Sequence, residues 1–69
     1  MQMTPVTSSN IDSVGWDDET GEVIVAFKSG AEWGYKATEE VYDSLVAAPS
    51  VGAYFASQVK NVYPGRRIS

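Results

Sequence analysis

A chain of 69 residues with 43% hydrophobic content is one domain near the lower size at which a single core sustains a fold, since a chain this short buries only about 60% of its unfolded surface. The absence of cysteine and histidine excludes disulfides, thiolate chemistry, the usual zinc ligands and the ordinary general base. The net charge of −4 is uneven: all nine acidic residues lie between Asp12 and Asp43, and from Ser44 on the only charges are Lys60, Arg66 and Arg67, a weak electrostatic case for nucleic acid.

In chain order, "MQMTPVTS" is polar, contains Pro5 and has no period, so residues 1–8 read as a loose lead-in. It has neither the basic start nor the apolar stretch of a signal peptide. The apolar run Val23 to Phe27 is far too short to cross a bilayer, and the expectation is a cytoplasmic protein with no membrane association. In "NIDSVGWD", Val14 and Trp16 share a parity that Ile11 does not, which predicts a strand with a bulge or a late start near Asn10. "DETG" is a four-residue connection ending in Gly21, where a left-handed conformation is usually required. "EVIVAFK" is a strong β run, "KSG" the next turn and "AEWGYK" a third strand. Thr38 then caps a helix, "EEVYDSLVAA", with Glu39 and Glu40 at the positive end of its dipole. Its apolar stripe pairs Val41 with Leu45 and Tyr42 with Val46, and Pro49 stops it. Ser50 caps a second helix, "VGAYFASQVKNVY", with Val51, Phe55, Val59 and Val62 on one face and Tyr54 beside them. "YPG" ends it, and residues 66–69 read as a basic tail after a single domain over 9–65. The expected fold class is α+β: a three-stranded antiparallel meander followed by two helices packed on one face.

Trp33 and Tyr35 form an aromatic pair separated by Gly34, and turn length decides which way they point, because a one-residue slip moves every side chain to the other face. A two-residue turn at Ser29-Gly30 pairs Ala26 with Trp33 and Ile24 with Tyr35, placing the aromatics opposite the Val23, Val25, Phe27 face. A three-residue turn at Lys28-Ser29-Gly30 pairs Val25 with Trp33 and Val23 with Tyr35, joining them to that face. The second fits better, since Gly30 suits the left-handed end of a three-residue loop, whereas a type I′ turn wants Asn or Asp where Ser29 stands. The "DETG" loop likewise pairs Trp16 with Val23 and Val14 with Val25. Core and contact roles stay compatible, since a Tyr or Trp near a sheet edge can bury its ring and offer its polar tip. Gly34 leaves a patch of backbone on the outer face, open to a ligand or a partner strand, or marking a twist.

The pieces "SSNIDSVGWD", "VIVAFKSG", "WGY" and "VYDSLVAAPSVGAYF" resemble the KTSC domain, a family named after the C-terminus of certain lysyl-tRNA synthetases. The resemblance covers Thr7 to Arg67 and rests on several short pieces together. Trp33 and Tyr35 stand at the family's central aromatic-x-aromatic motif, usually tyrosine-x-tyrosine, so an indole N–H replaces the first hydroxyl. Ser50, Gly52, Tyr54 and Phe55 fall on a second signature, Ser-x-Gly-x-Tyr-Phe, with Ala56 where an asparagine often follows. The family also occurs as free-standing small bacterial and phage proteins. RNA binding has been suggested for it from its company with tRNA synthetases; no activity is implied.

Two functional readings follow. A protein-contact role, as adaptor, inhibitor or homodimer, uses the open edge of a three-stranded sheet or an apolar patch around Ile24, Ala26 and Gly34, with Glu32 and Lys36 on the same face as solvated charge. The alternative is an RNA or nucleotide site, with Trp33, Tyr35 and Tyr54 for stacking and Lys36, Lys60, Arg66 and Arg67 for phosphates. An enzyme is not expected, nor a cofactor or metal. Asp17, Asp18, Glu19 and Glu22 in "DDETGE" read as solvated turn carboxylates without calcium-loop spacing, and a chain this small hardly encloses a water-excluding cleft.

Overall fold

The computed structural model describes residues 2–69, and Met1 lies outside the described residues. Five strands form one antiparallel sheet in the order β1 (Met3–Pro5), β2 (Ile11–Asp17), β3 (Glu22–Phe27), β4 (Glu32–Lys36), β5 (Gly65–Arg67). Helices α1 (Glu39–Ala47) and α2 (Val51–Gln58) lie between β4 and β5 in the chain and pack on one face. The fold is α+β, with five strands where a three-stranded meander was expected.

The three central strands take the register that the turns demand. Gly21 and Gly30 carry positive φ of 72° and 100°, and no other described residue does. Trp16 pairs with Val23, Val14 with Val25, Val25 with Trp33 and Val23 with Tyr35, the register of the three-residue turn. Ile11 pairs with Phe27 and Ser13 with Ala26, so Asp12 is the extra residue of a β-bulge. The bulge restores Ile11 to the inner face, where it is fully buried.

Both edges differ from expectation. The lead-in contributes β1, which pairs Met3 with Gly15 and Pro5 with Ser13. Three residues, one of them proline, carry no local β signal, and pairing with β2 supplies what propensity does not; Pro5 lacks an N–H and so suits an edge. The basic tail is β5, pairing Trp33 with Arg67, Gly34 with Arg66 and Tyr35 with Gly65. Its ladder runs on through Lys36 N–H to the Pro64 carbonyl and Ile68 N–H to the Glu32 carbonyl. The free edge expected on β4 is therefore occupied, and the two real edges are short, one bearing Pro5 and the other two arginines, features that discourage further strand addition.

The helices start where their caps predict: Thr38 Oγ1 accepts from Val41 N–H and Ser50 Oγ from Ala53 N–H. The second helix ends earlier than its apolar spacing suggests. After Gln58 the chain loosens into turns, with Lys60 N–H reaching back to the Phe55 carbonyl. "VKNVY" combines β-branched residues and Asn, poor helix formers, and Pro64 disfavours helix at the residue before it. Val59 still plugs the core at 0% exposure, whereas Val62 is 57% exposed instead of sharing its face.

The core joins Val14, Val23, Val25 and Ile11 of the sheet to Leu45 of α1 and to Val51, Phe55 and Val59 of α2 and the turn after it. On the outer face Ile24 lies between Gly15 and Gly34 and is only 3% exposed, so no open apolar patch is centred on it. No described helix is long and apolar enough to cross a membrane.

Candidate functional site

The aromatic pair belongs to the inner face. Tyr35 is 5% exposed and Trp33 is half-buried beside it, their rings stacked at 6.3 Å and 21°. Tyr35 meets Phe55 edge to face at 5.4 Å, and Phe55 meets Phe27 in the same way at 5.5 Å. These offset and edge contacts are the arrangements that the ring quadrupole favours. Burial pushes the Tyr35 phenol above the usual tyrosine pKa.

The four rings line a cavity of about 490 Å3 between the sheet and the end of α2, within the roughly 300–1,000 Å3 of small-ligand sites. Its polar wall comes from elsewhere: Asn10 before β2, and Lys60 and Asn61 in the turns after α2. Gly65 of β5 forms the rest, and its lack of a side chain is required. A Cβ there would lie 2.6 Å from Tyr35 Cε1, so the ring occupies that volume. Asn10 is held by its neighbours, accepting at Oδ1 from Ser8 Oγ–H at 3.1 Å, while Ser8 Oγ accepts from Ile11 N–H. The first turn of α2 packs against this turn, since a Cβ on Gly52 would come within 3.1 Å of Ser8 Oγ. Gly52 of the Ser-x-Gly-x-Tyr-Phe run thus lets the helix approach one wall of the cavity.

The predicted site residues divide between the two faces. Trp33, Tyr35 and Lys60 line the cavity, and Arg67 is the cross-strand partner of Trp33, hence on the same face. Tyr54 is half-buried against the core and is not part of the lining. Lys36 and Arg66 stand on the outer face, where Lys36 Nζ donates to the Thr20 carbonyl and Arg66 is bound to Glu22. Asn10, Phe27, Asn61 and Gly65 escaped sequence reasoning, because they join the others only through tertiary structure.

Glu22, expected as a solvated turn residue, is instead buried, its side chain 4% exposed. Arg66 grips it with two donors, Nε to Oε2 at 2.7 Å and Nη2 to Oε1 at 2.8 Å. The guanidinium holds the Glu22 carboxyl below the usual carboxylate range, against the opposing effect of burial. The carboxylate lies over Gly34, where a Cβ would come within 3.0 Å of Glu22 Cδ and Oε2. The backbone of Gly34 is therefore covered, not offered to a ligand or strand. A smaller hollow of about 290 Å3 beside the pair is lined by Thr20, Lys36 and Pro64, with Glu22 and Arg66 bound to each other and Lys36 Nζ to the Thr20 carbonyl.

The profile of the KTSC domain matches residues 7–63. An uncharacterised protein of Tsukamurella paurometabola is 37% identical over 59 residues, spanning 84% of this chain and 88% of that protein. The crystal structure of a KTSC domain protein from Yersinia pestis is similar at a TM-score of 0.89 and 28% identity, covering 99% of this chain and 97% of the other. The profile spans most of the chain and the similar solved structure is a KTSC domain protein, so the chain belongs to the KTSC domain family.

Proposed function

We propose that this protein is a non-enzymatic binding module that acts through protein contacts, taking a short segment of a partner into the aromatic cavity. The observation that supports this reading is the convergence of Phe27, Trp33, Tyr35 and Phe55 with Lys60 and two asparagine amides around one cavity, made from segments far apart in the chain. A hollow with an aromatic wall and a polar wall suits recognition of a side chain and of the backbone beside it. Titratable groups suited to acid or base chemistry are absent from the described lining apart from Lys60 and the buried Tyr35 phenol, which favours binding over catalysis. Sheet augmentation is the weaker version of protein contact, because both edges are short and bear proline or arginine.

The alternative, RNA, draws on Lys60 and Arg67 beside the rings. Stacking platforms present successive exposed π faces to a strand. Here Tyr35 is enclosed by Trp33, Phe55 and Gly65, leaving Trp33 as the accessible ring of the pair.

Amide NMR of the labelled protein tests the choice. Indole and phenol serve as side-chain fragments in one titration, and short single-stranded RNAs at low salt in another. Fragment-induced, saturable shifts at Trp33 Nε1–H, Asn61 and Gly65 support the protein-contact reading. Saturable RNA shifts at the same residues, without fragment binding, replace it with the alternative, and a silent cavity in both titrations removes it from consideration.

A further inference from the structure

Resting on the reading of the cavity as a peptide site, we infer that its ligand is an acidic segment anchored by one aromatic side chain. The whole chain is acidic at −4, yet among the described residues no carboxylate side chain lines the cavity. The charged groups present are cationic: Lys60 in the lining and Arg67 across the ladder from Trp33. Both are exposed, and among the described residues neither meets a side-chain carboxylate; Arg67 Nε donates to the Ser69 main-chain oxygen at 3.2 Å, whereas Arg66, one residue away, is spent on Glu22. Among the described residues, the face that carries the rings thus holds two cations that no acidic side chain neutralises. A ligand with negative charges beside an apolar group complements that arrangement, and a basic one meets the acidic remainder of the surface only outside the cavity.

The anchor is specified by the walls. Four rings in edge and offset contacts supply the apolar part of the boundary, beside a polar part of similar extent from Asn10, Lys60 and Asn61. An aromatic side chain repeats those contacts and buries about 150–250 Å2 in doing so. Asn10 and Asn61 each offer an amide, one donor and one acceptor group, with which to meet the peptide backbone around the anchor. Nucleic acid is disfavoured as the occupant because the aromatic pair offers one accessible ring instead of a ladder.

The test uses three blocked peptides of equal length: one tryptophan flanked on each side by two glutamates, the same tryptophan flanked by lysines, and the acidic frame with alanine for tryptophan. Binding to the full chain is followed by amide NMR, with a short oligouridine and the free protein at rising concentration as parallel samples. The acidic tryptophan peptide is expected to shift the cavity resonances and to bind about tenfold or more tightly than either of the others. In the double variant Lys60→Glu, Arg67→Glu, checked for fold by its amide spectrum, that preference reverses toward the lysine peptide. Cavity binding of the tryptophan peptides with no charge preference, or with a preference that survives the double variant, overturns the acidic ligand and leaves the peptide site standing. Failure of all three peptides at the cavity overturns both, as does occupation of the cavity by oligouridine or by a second copy of the chain in their place.

Discussion

Glu22 and Arg66, 44 residues apart in sequence, meet in a two-point ion pair over the bare backbone of Gly34, one carboxylate buried and one guanidinium more than half exposed. Because the folded-state pKa of Glu22 is depressed, its contribution to stability is present above the unfolded carboxylate value of about 4.3 and is lost as pH falls through the lower folded value. Urea unfolding followed by tryptophan fluorescence should show that acid loss in the native protein. In Arg66→Met the same carboxylate is left desolvated without its partner, so stability at neutral pH falls. Its pKa then rises above the unfolded value, and stability should be partly regained on acidification toward pH 5. A variant with an unchanged pH profile would falsify the role given to the pair.

The space at Gly65 is filled by the Tyr35 ring. Gly65→Ala is expected to cost about 1–3 kcal/mol, as overpacking does when a rigid ring must move, and about 4–8 °C in Tm for each kcal/mol at this size. Combining it with Tyr35→Val, which vacates the ring's volume, should make the two losses less than additive in a thermal double-mutant cycle. Strict additivity would mean that β5 accommodates the methyl without meeting Tyr35.

Burial places the Tyr35 phenol above the ordinary tyrosine pKa near 10. The sign is opposite to that of Glu22: the contribution is complete below pH 10 and is lost as pH rises through the higher folded value. Absorbance titration at 295 nm should resolve one tyrosine ionising late or only with unfolding, and Tyr35→Phe should remove that component.

Val59 and Val62 separate two descriptions of the chain after Gln58. A continuous helix puts both on one apolar face; the turns found there bury Val59 completely and leave Val62 57% exposed. Val59→Ala is expected to cost about 1–3 kcal/mol, and Val62→Ala within about 0.5 kcal/mol of nothing. Chemical denaturation of the two variants measures this, and equal losses would restore the longer helix.

The central part of the fold was legible because its signals are local. Gly21 and Gly30 mark the two turns, the parity of Val14, Trp16, Trp33 and Tyr35 sets the faces, and Ile11 breaks that parity where the bulge lies. The edge strands were not, because what holds them is distant: β5 depends on Glu22 for Arg66 and on Tyr35 for Gly65. The same reason accounts for Glu22, which reads as one more turn carboxylate until the arginine opposite it is in place. At the candidate site, Trp33, Tyr35 and Lys60 could be named from residue type and position. Asn10, Asn61 and Gly65 have ordinary turn chemistry, and only the folded chain brings them to the same cavity.

The position of β5 in the chain also sets a timetable for synthesis. A ribosome that has made β1 to β4 and both helices has produced most of the hydrophobic core, yet Glu22 has no counter-ion and the Tyr35 ring has no glycine against it. Closing the ladder from Glu32 to Ser69 must wait until residues 65–69 leave the exit tunnel, and the cavity gains its Gly65 wall in the same event. A nascent chain halted before Gly65 should therefore hold its hydrophobic residues together while its aromatic cavity still lacks one wall.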